Sequence, residues 1–243
     1  MFELTLLLVT GIATGFLNVM AGGGSMLSVP VMIFLGVPGT VANGTNRIAI
    51  LPQNISAVIA FYRQGFAHFR LSLSLAACTI PGTLFGAWLA TRIPNDQFNH
   101  LLAGIMLLVL VVMALPQPKP NQAATEARKI TGHVLMLLIG FWGGFIHVGV
   151  GFLLMPVLNR VMGMDLITTN SHKVFIVMCY TIVALLVFAS QLELIWHYGL
   201  ALAIGTTMGG WLAANFQIKQ GVSAIKWTLN IVIVAFIIKL IWF

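Results

Sequence analysis

The chain has 243 residues, of which 59% are hydrophobic and 7% charged. A soluble domain carries roughly 25% charged residues, so this composition excludes a soluble enzyme, a nucleic-acid-binding domain and a disordered scaffold. Twelve Lys+Arg against five Asp+Glu give a formal charge of +7, which in an integral membrane protein belongs mainly to cytoplasmic loops.

The N-terminus reads MFELTLLLVTGIATGF, with Glu3 and no basic region ahead of the apolar run, so the first segment is taken as part of the mature protein. A span needs about 20 residues to cross a hydrocarbon core of about 30 Å. Apolar segments follow at roughly 3–20, 25–36, 40–62, 71–91, 98–115, 131–147, 151–163, 166–189, 197–215 and 223–243. They are expected to be helices, because an open strand in lipid leaves its backbone unpaired and the period-2 pattern of a barrel is absent. Two segments, 25–36 and 151–163, are short, and each follows a glycine-rich break; they either cross or turn back. Cys78 and Cys179 lie in apolar stretches, so neither a disulfide framework nor a metal cluster is expected, and no cofactor.

A polar stretch, PQPKPNQAATEARK at Pro116–Lys129, divides the chain near its middle. The halves resemble each other. GTLFGAWLA (Gly82–Ala90) matches GTTMGGWLA (Gly205–Ala213), MAGGGSMLSVPV (Met20–Val31) parallels IHVGVGFLLMPV (Ile146–Val157), and GVPGTVANGTNR (Gly36–Arg47) parallels GMDLITTNSHKV (Gly163–Val174) with Asn43 on Asn170. Corresponding loops carry opposite charge: RQGFAHFR (Arg63–Arg70) is basic where SQLELIW (Ser190–Trp196) carries only Glu193. Loops on opposite sides of a membrane differ in this way. The expected architecture is therefore an all-α polytopic membrane protein of two inverted repeats, 1–115 and 131–243, joined by a linker at 116–130, each of about five hydrophobic segments with a glycine-broken short helix.

Inverted repeats with broken helices place substrate near the midplane of secondary transporters. The N–H groups and dipole at the start of a short helix after a glycine break favour an anion. The candidate donors are Gly22, Gly23, Gly24 and Ser25 in one half and His147, Gly149 and Gly151 in the other. The next helix of each half adds Asn43, Thr45, Asn46 and Arg47, or Asn170, Ser171, His172 and Lys173. A charge inside a span is costly and usually functional; the competing reading for Arg47 and Lys173 is snorkelling to the headgroups. Glycines Gly82, Gly86, Gly205 and Gly209 are read instead as close helix packing. The five acids, Glu3, Asp96, Glu126, Asp165 and Glu193, all fall at segment ends or in loops. Cations, amides and hydroxyls without a carboxylate fit an anion, and argue against a metal-cation carrier or a membrane-embedded Mg²⁺ enzyme. His147 and His172 are the candidate relays for a coupling proton. No nucleophile–base–orienter set is visible, so the chain is not read as an enzyme.

GFLNVMAGGGSMLSVPVMIFLGVPGTVANGTNR and its echo GFWGGFIHVGVGFLLMPVLNRVMGMDLITTNSHK resemble the two signature regions of the TauE/SafE family of sulfite exporters. The resemblance covers essentially the whole chain, including Pro30, Pro156 and the GTxxGxWLA helices. It implies a multi-pass carrier of the bacterial inner membrane moving sulfite, sulfonates or related small organic anions, usually outward. Ser25 in the first break departs from the family's bulkier glycine pattern, and His147 and Lys173 are not general family features, so the particular anion stays open. An anion channel and a non-transporting membrane subunit are the alternatives. The expected partners are a small anion, membrane lipid, a coupling proton and, as a further candidate, a second copy of the chain; no nucleic acid is expected.

Overall fold

The structure is a computed structural model that describes residues 1–66, 69–114 and 126–220. Every regular element among these is helical: α1 (Phe2–Met20), α2 (Ser25–Phe34), α3 (Gly39–Arg63), α4 (Phe69–Ala90), α5 (Asn95–Ala114), α6 (Glu126–Phe145), α7 (Val150–Pro156), α8 (Leu166–Gln191) and α9 (Trp196–Gln220). A π-helical turn, Val157–Val161, continues α7 beyond Pro156. The tenth predicted segment, 223–243, lies outside the described residues, as do His68 and most of the linker. Helix α6 starts at Glu126, inside the stretch assigned to the linker, because Glu-Ala-Arg-Lys is made of strong helix formers. Helix α8 starts at Leu166 because Asp165 caps it, its carboxylate accepting from Ile167 N at 2.9 Å and Thr168 N at 3.0 Å. Partial burial works against that carboxylate, but these bonds outweigh it and hold its pKa below the usual aspartate range.

Two glycine seams fix the packing. A Cβ on Gly11 or Gly15 would strike Leu202 O or Thr206 O, and one on Gly205 or Gly209 would strike Leu8 O or Ile12 O. Position rises together on both helices, so α1 and α9 run side by side in the same direction. The second seam repeats the design: Gly82 and Gly86 lie against Leu137 O and Phe141 O, and Gly140 and Gly144 against Thr79 O and Thr83 O. Here α4 and α6 run together. The packing role read for Gly82, Gly86, Gly205 and Gly209 is the one they have. Without an apolar driving force between helices in lipid, close backbone approach of this kind is what holds them.

The directions of the other helices follow from named contacts. Thr206 Oγ1 donates to Ala49 O at 2.8 Å and Gly210 lies on Gln53, so α3 runs with α9 and α1. Gly44 meets Phe188 while Ser171 Oγ donates to Phe66 O at 3.1 Å, so α8 runs against α3. Gly132 meets Met162 and Gly143 meets Tyr180, so α6 runs with α8. Helices α1 and α6, the first of each half, therefore point in opposite directions.

The short segments turn back. Asn18, near the end of α1, bonds Gln53, which sits about ten residues before the end of α3. At 1.5 Å per residue α1, which ends two residues after Asn18, stops about 12 Å short of that face, and α2 returns the chain to the start of α3. Likewise α6 ends beside Tyr180, about eleven residues before the end of α8, and α7 returns. One hairpin enters from each face. Arg63, Arg70, Arg128, Lys129 and Arg160 collect at one face and Arg92 at the other, so the basic face is the cytoplasmic one by the positive-inside rule. By length and composition alone, three helices among the described residues are apolar enough to cross a membrane: Phe2–Met20, Phe69–Ala90 and Leu166–Gln191. Trp88, Trp196 and Trp211 are about half exposed on the outer surface, as anchors would be; Trp242 lies outside the described residues.

Candidate functional site: two crossed breaks

The tips of the two hairpins touch. Gly151 N donates to Gly22 O at 3.2 Å, and a Cβ built on either glycine would lie 2.2–2.3 Å from the other's Cα. Gly22 has φ +84°, Gly149 φ +72°, and His147, a non-glycine residue, φ +51°. A left-handed conformation costs an L-residue about 1–2 kcal/mol, so His147 is held there by its neighbours: Tyr180 Oη lies 2.9 Å from its Nδ1, and Trp142 Nε1 donates to the next carbonyl, Val148 O, at 3.0 Å. We expect Gly22→Ala to fail to assemble, because strain and a backbone collision coincide. Gly36→Ala, with the same φ but open space around it, should still fold; monodisperse elution of both variants from detergent checks the contrast.

All fifteen candidate binding residues are buried, and neither cation snorkels. Each serves the opposite half. Arg47 on α3 donates to Gly143 O at 2.8 Å and Gly144 O at 2.5 Å, the unpaired carbonyls at the end of α6. Lys173 on α8 donates to Val19 O at 2.7 Å, at the end of α1. Positive charge is favourable at both helix C-termini. Asn43 adds a bond to Phe145 O at 2.8 Å, and the guanidinium lies over the Phe188 ring, 4.7 Å from its centroid.

The cations differ in what else they reach. A cavity of about 10 Å³, room for roughly one water, lies at the crossing and is lined by Asn18, Gly22, Gln53, Asn54, His147, Val150, Gly151, Lys173 and Val177. Lys173 faces it; Arg47 does not. Asn18, Gln53 and Asn54 were not among the candidates from sequence. The signal was a set of amides in apolar runs, FLNV and ILPQN, which need partners when buried.

Several break amides are already used. Ser25 N donates to Asn18 Oδ1 at 3.2 Å, so a side chain occupies the start of α2, and Gly22 N donates to Leu17 O. The amides of Gly23, Gly24 and Gly149 have no acceptor among the described residues. Asn46 supports α2 from the side, accepting from Ser28 Oγ at 2.7 Å and donating to Ser25 Oγ at 3.2 Å. Four candidates point elsewhere. Thr45 accepts from Ile195 N, Ser171 donates to Phe66 O, His172 Nδ1 pairs with Ser72 Oγ at 2.7 Å, and Asn170 donates to Gln217 Oε1 at 2.7 Å.

Residues 7–240 match the family described as sulfite exporter TauE/SafE. The chain belongs to that family. It is a multi-pass membrane transporter by that membership. It is 28% identical over 243 residues to a probable membrane transporter protein, ORF9, of Sinorhizobium sp, covering 98% of this chain and 92% of that one. It is 24% identical over 232 residues to the probable membrane transporter protein YfcA of Escherichia coli K12, covering 94% and 86%. A probable membrane transporter protein of Haemophilus influenzae is 22% identical over 226 residues, covering 92% and 88%. These relatives are bacterial, which accords with an inner-membrane setting for this TauE/SafE member. No solved structure matches.

Proposed function

We propose that this TauE/SafE protein is a secondary transporter of a small oxyanion, sulfite or a sulfonate, working by alternating access about the crossed breaks. The observation that carries the reading is the buried crossing itself: Lys173, three amide side chains and His147 surround it, and no carboxylate is among its lining residues. An anion arriving there exchanges the Val19 carbonyl for itself at the Lys173 ammonium, a charge-assisted bond that is stronger than the neutral one. The amides of Gly23, Gly24 and Gly149 do not line the present cavity and become further donors only as the breaks open, so the site draws on Gly22–Ser25 and His147–Gly151 as loops rather than on every one of their N–H groups. The opposed directions of α1 and α6 support two inverted repeats, and export, the direction carried by the family description, is movement away from the basic face.

The present cavity has room for about one water; on this reading it is the closed form between two open ones. Coupling to a proton would run through His147, whose Nδ1 is held by Tyr180; His172 sits off the crossing and is the weaker candidate. A channel on the same site is the second reading. Purified protein in liposomes should show saturable uptake of labelled sulfite with counterflow and a response to a pH gradient. Ohmic sulfite current without counterflow would replace the carrier by the channel, and no flux at all would leave a subunit role.

A further inference from the structure

Within the matched helices α3 and α8, Asn43 corresponds to Asn170, and the same register places Phe61 on Phe188. Both rings are among the largest fully buried side chains of the protein. Phe61 lies near the end of α3 at the basic face, and Phe188 lies beside Arg47 and Gly44 toward the other face. Phe61 and Arg47 are fourteen positions apart on one helix, so the rings are separated by about 20 Å along it, with the central cavity between them.

Each ring stands between the crossing and one face. Phe61 packs in one apolar cluster with Val19 and Met20, at the broken end of α1, and with Met155 and Val174. On its other side it lines a second small cavity with Phe66, Phe69, Ser72 and Ser171. Phe188 covers the opposite approach. Its ring lies under the Arg47 guanidinium, and the place outside it is filled by Leu194, which meets Gly44. The equivalent of Gly44 in the other half is Ser171, which lines the cavity outside Phe61. The two approaches are thus built on one plan and occupied differently: space outside the ring at the basic face, a leucine outside it at the other.

We propose that Phe61 and Phe188 are a pair of gates, one to each side of the crossing, and that solute passes each ring in turn. The proposal presupposes alternating access but no particular substrate. It is tested with Val177→Cys as a reporter in the central cavity, in a chain whose Cys78 and Cys179 are replaced by Ala, using membrane-impermeant thiosulfonate reagents on vesicles of either orientation. Phe61→Ala should speed modification at least ten-fold from the basic face alone, and Phe188→Ala from the opposite face alone. Acceleration from both faces in each variant, or from neither, overturns the proposal. Phe188→Ala also removes the ring under Arg47, so if it does not fold, Phe61→Ala decides alone. An anionic and a cationic reagent are used in parallel: side-specific gains with the cationic one only would uphold the gates and remove the anion reading.

Discussion

Replacement of Lys173 by Ala is expected to lower sulfite flux by about 10- to 100-fold in a protein that still inserts and folds. The ammonium donates to a single backbone carbonyl, Val19 O, and borders the central cavity. A hydrogen bond to a charged group is worth about 1.5–3 kcal/mol, which converts to that range of rate at about 1.4 kcal/mol per factor of ten. Lys173→Arg should recover part of the flux with a changed preference among sulfite, sulfate and sulfonates, because a planar fork meets an oxyanion differently from a point charge. Initial rates in liposomes against a concentration series check this, and wild-type flux in Lys173→Ala would remove the lysine from the site.

Arg47→Ala is expected to fail in a different way, by loss of stability before loss of transport. Its guanidinium holds two carbonyls at the end of α6 and stacks on Phe188, and it is not among the residues that line the cavity. Two charge-assisted bonds amount to roughly 3–6 kcal/mol, a large part of a net stability of about 5–15 kcal/mol. For a chain of this size we expect the apparent Tm in detergent to fall by about 10–20 °C, and Arg47→Lys to restore about half of it. A variant that keeps its Tm and loses only flux would return Arg47 to the substrate. From the sequence the two cations looked interchangeable, since both follow an asparagine in matching helices. Their roles separate only through partners in the opposite half, more than ninety positions away in each case.

The same limit governs the rest of the comparison. The start of helix α8 was legible to the residue, at 166, while its end, read at 189, is Gln191; Asp165 caps that start through bonds to two neighbouring amides, a signal local enough for sequence to carry. Gly82, Gly86, Gly205 and Gly209 were legible because small residues at i and i+4 have one common use in a bilayer; their partners Gly11, Gly15, Gly140 and Gly144 were not singled out and are found only through the contacts. That α2 and α7 fold back was not legible, because direction is set by what a helix lies against and not by what it contains. Thr45, Ser171 and His172 were drawn into the site by adjacency in sequence. On a helix, neighbours point about 100° apart, and these three turn toward Ile195, Phe66 and Ser72 while Asn46 and Lys173 turn inward. Asn18, Gln53 and Asn54 show the converse: they are spread over two helices and only the crossing gathers them.

The seam between α1 and α9 joins the earliest part of the chain to one of the latest, with Gly11 lying on Leu202 and Gly205. At about 5–20 residues per second of synthesis, about 190 positions correspond to ~10–40 s during which the first hairpin has no mate for its glycine face. Biogenesis must therefore shelter that face, by the insertion machinery or by lipid, until the ninth helix emerges. The nascent protein is a late-closing clasp, and its period of greatest vulnerability to membrane quality control ends when α9 is seated on α1.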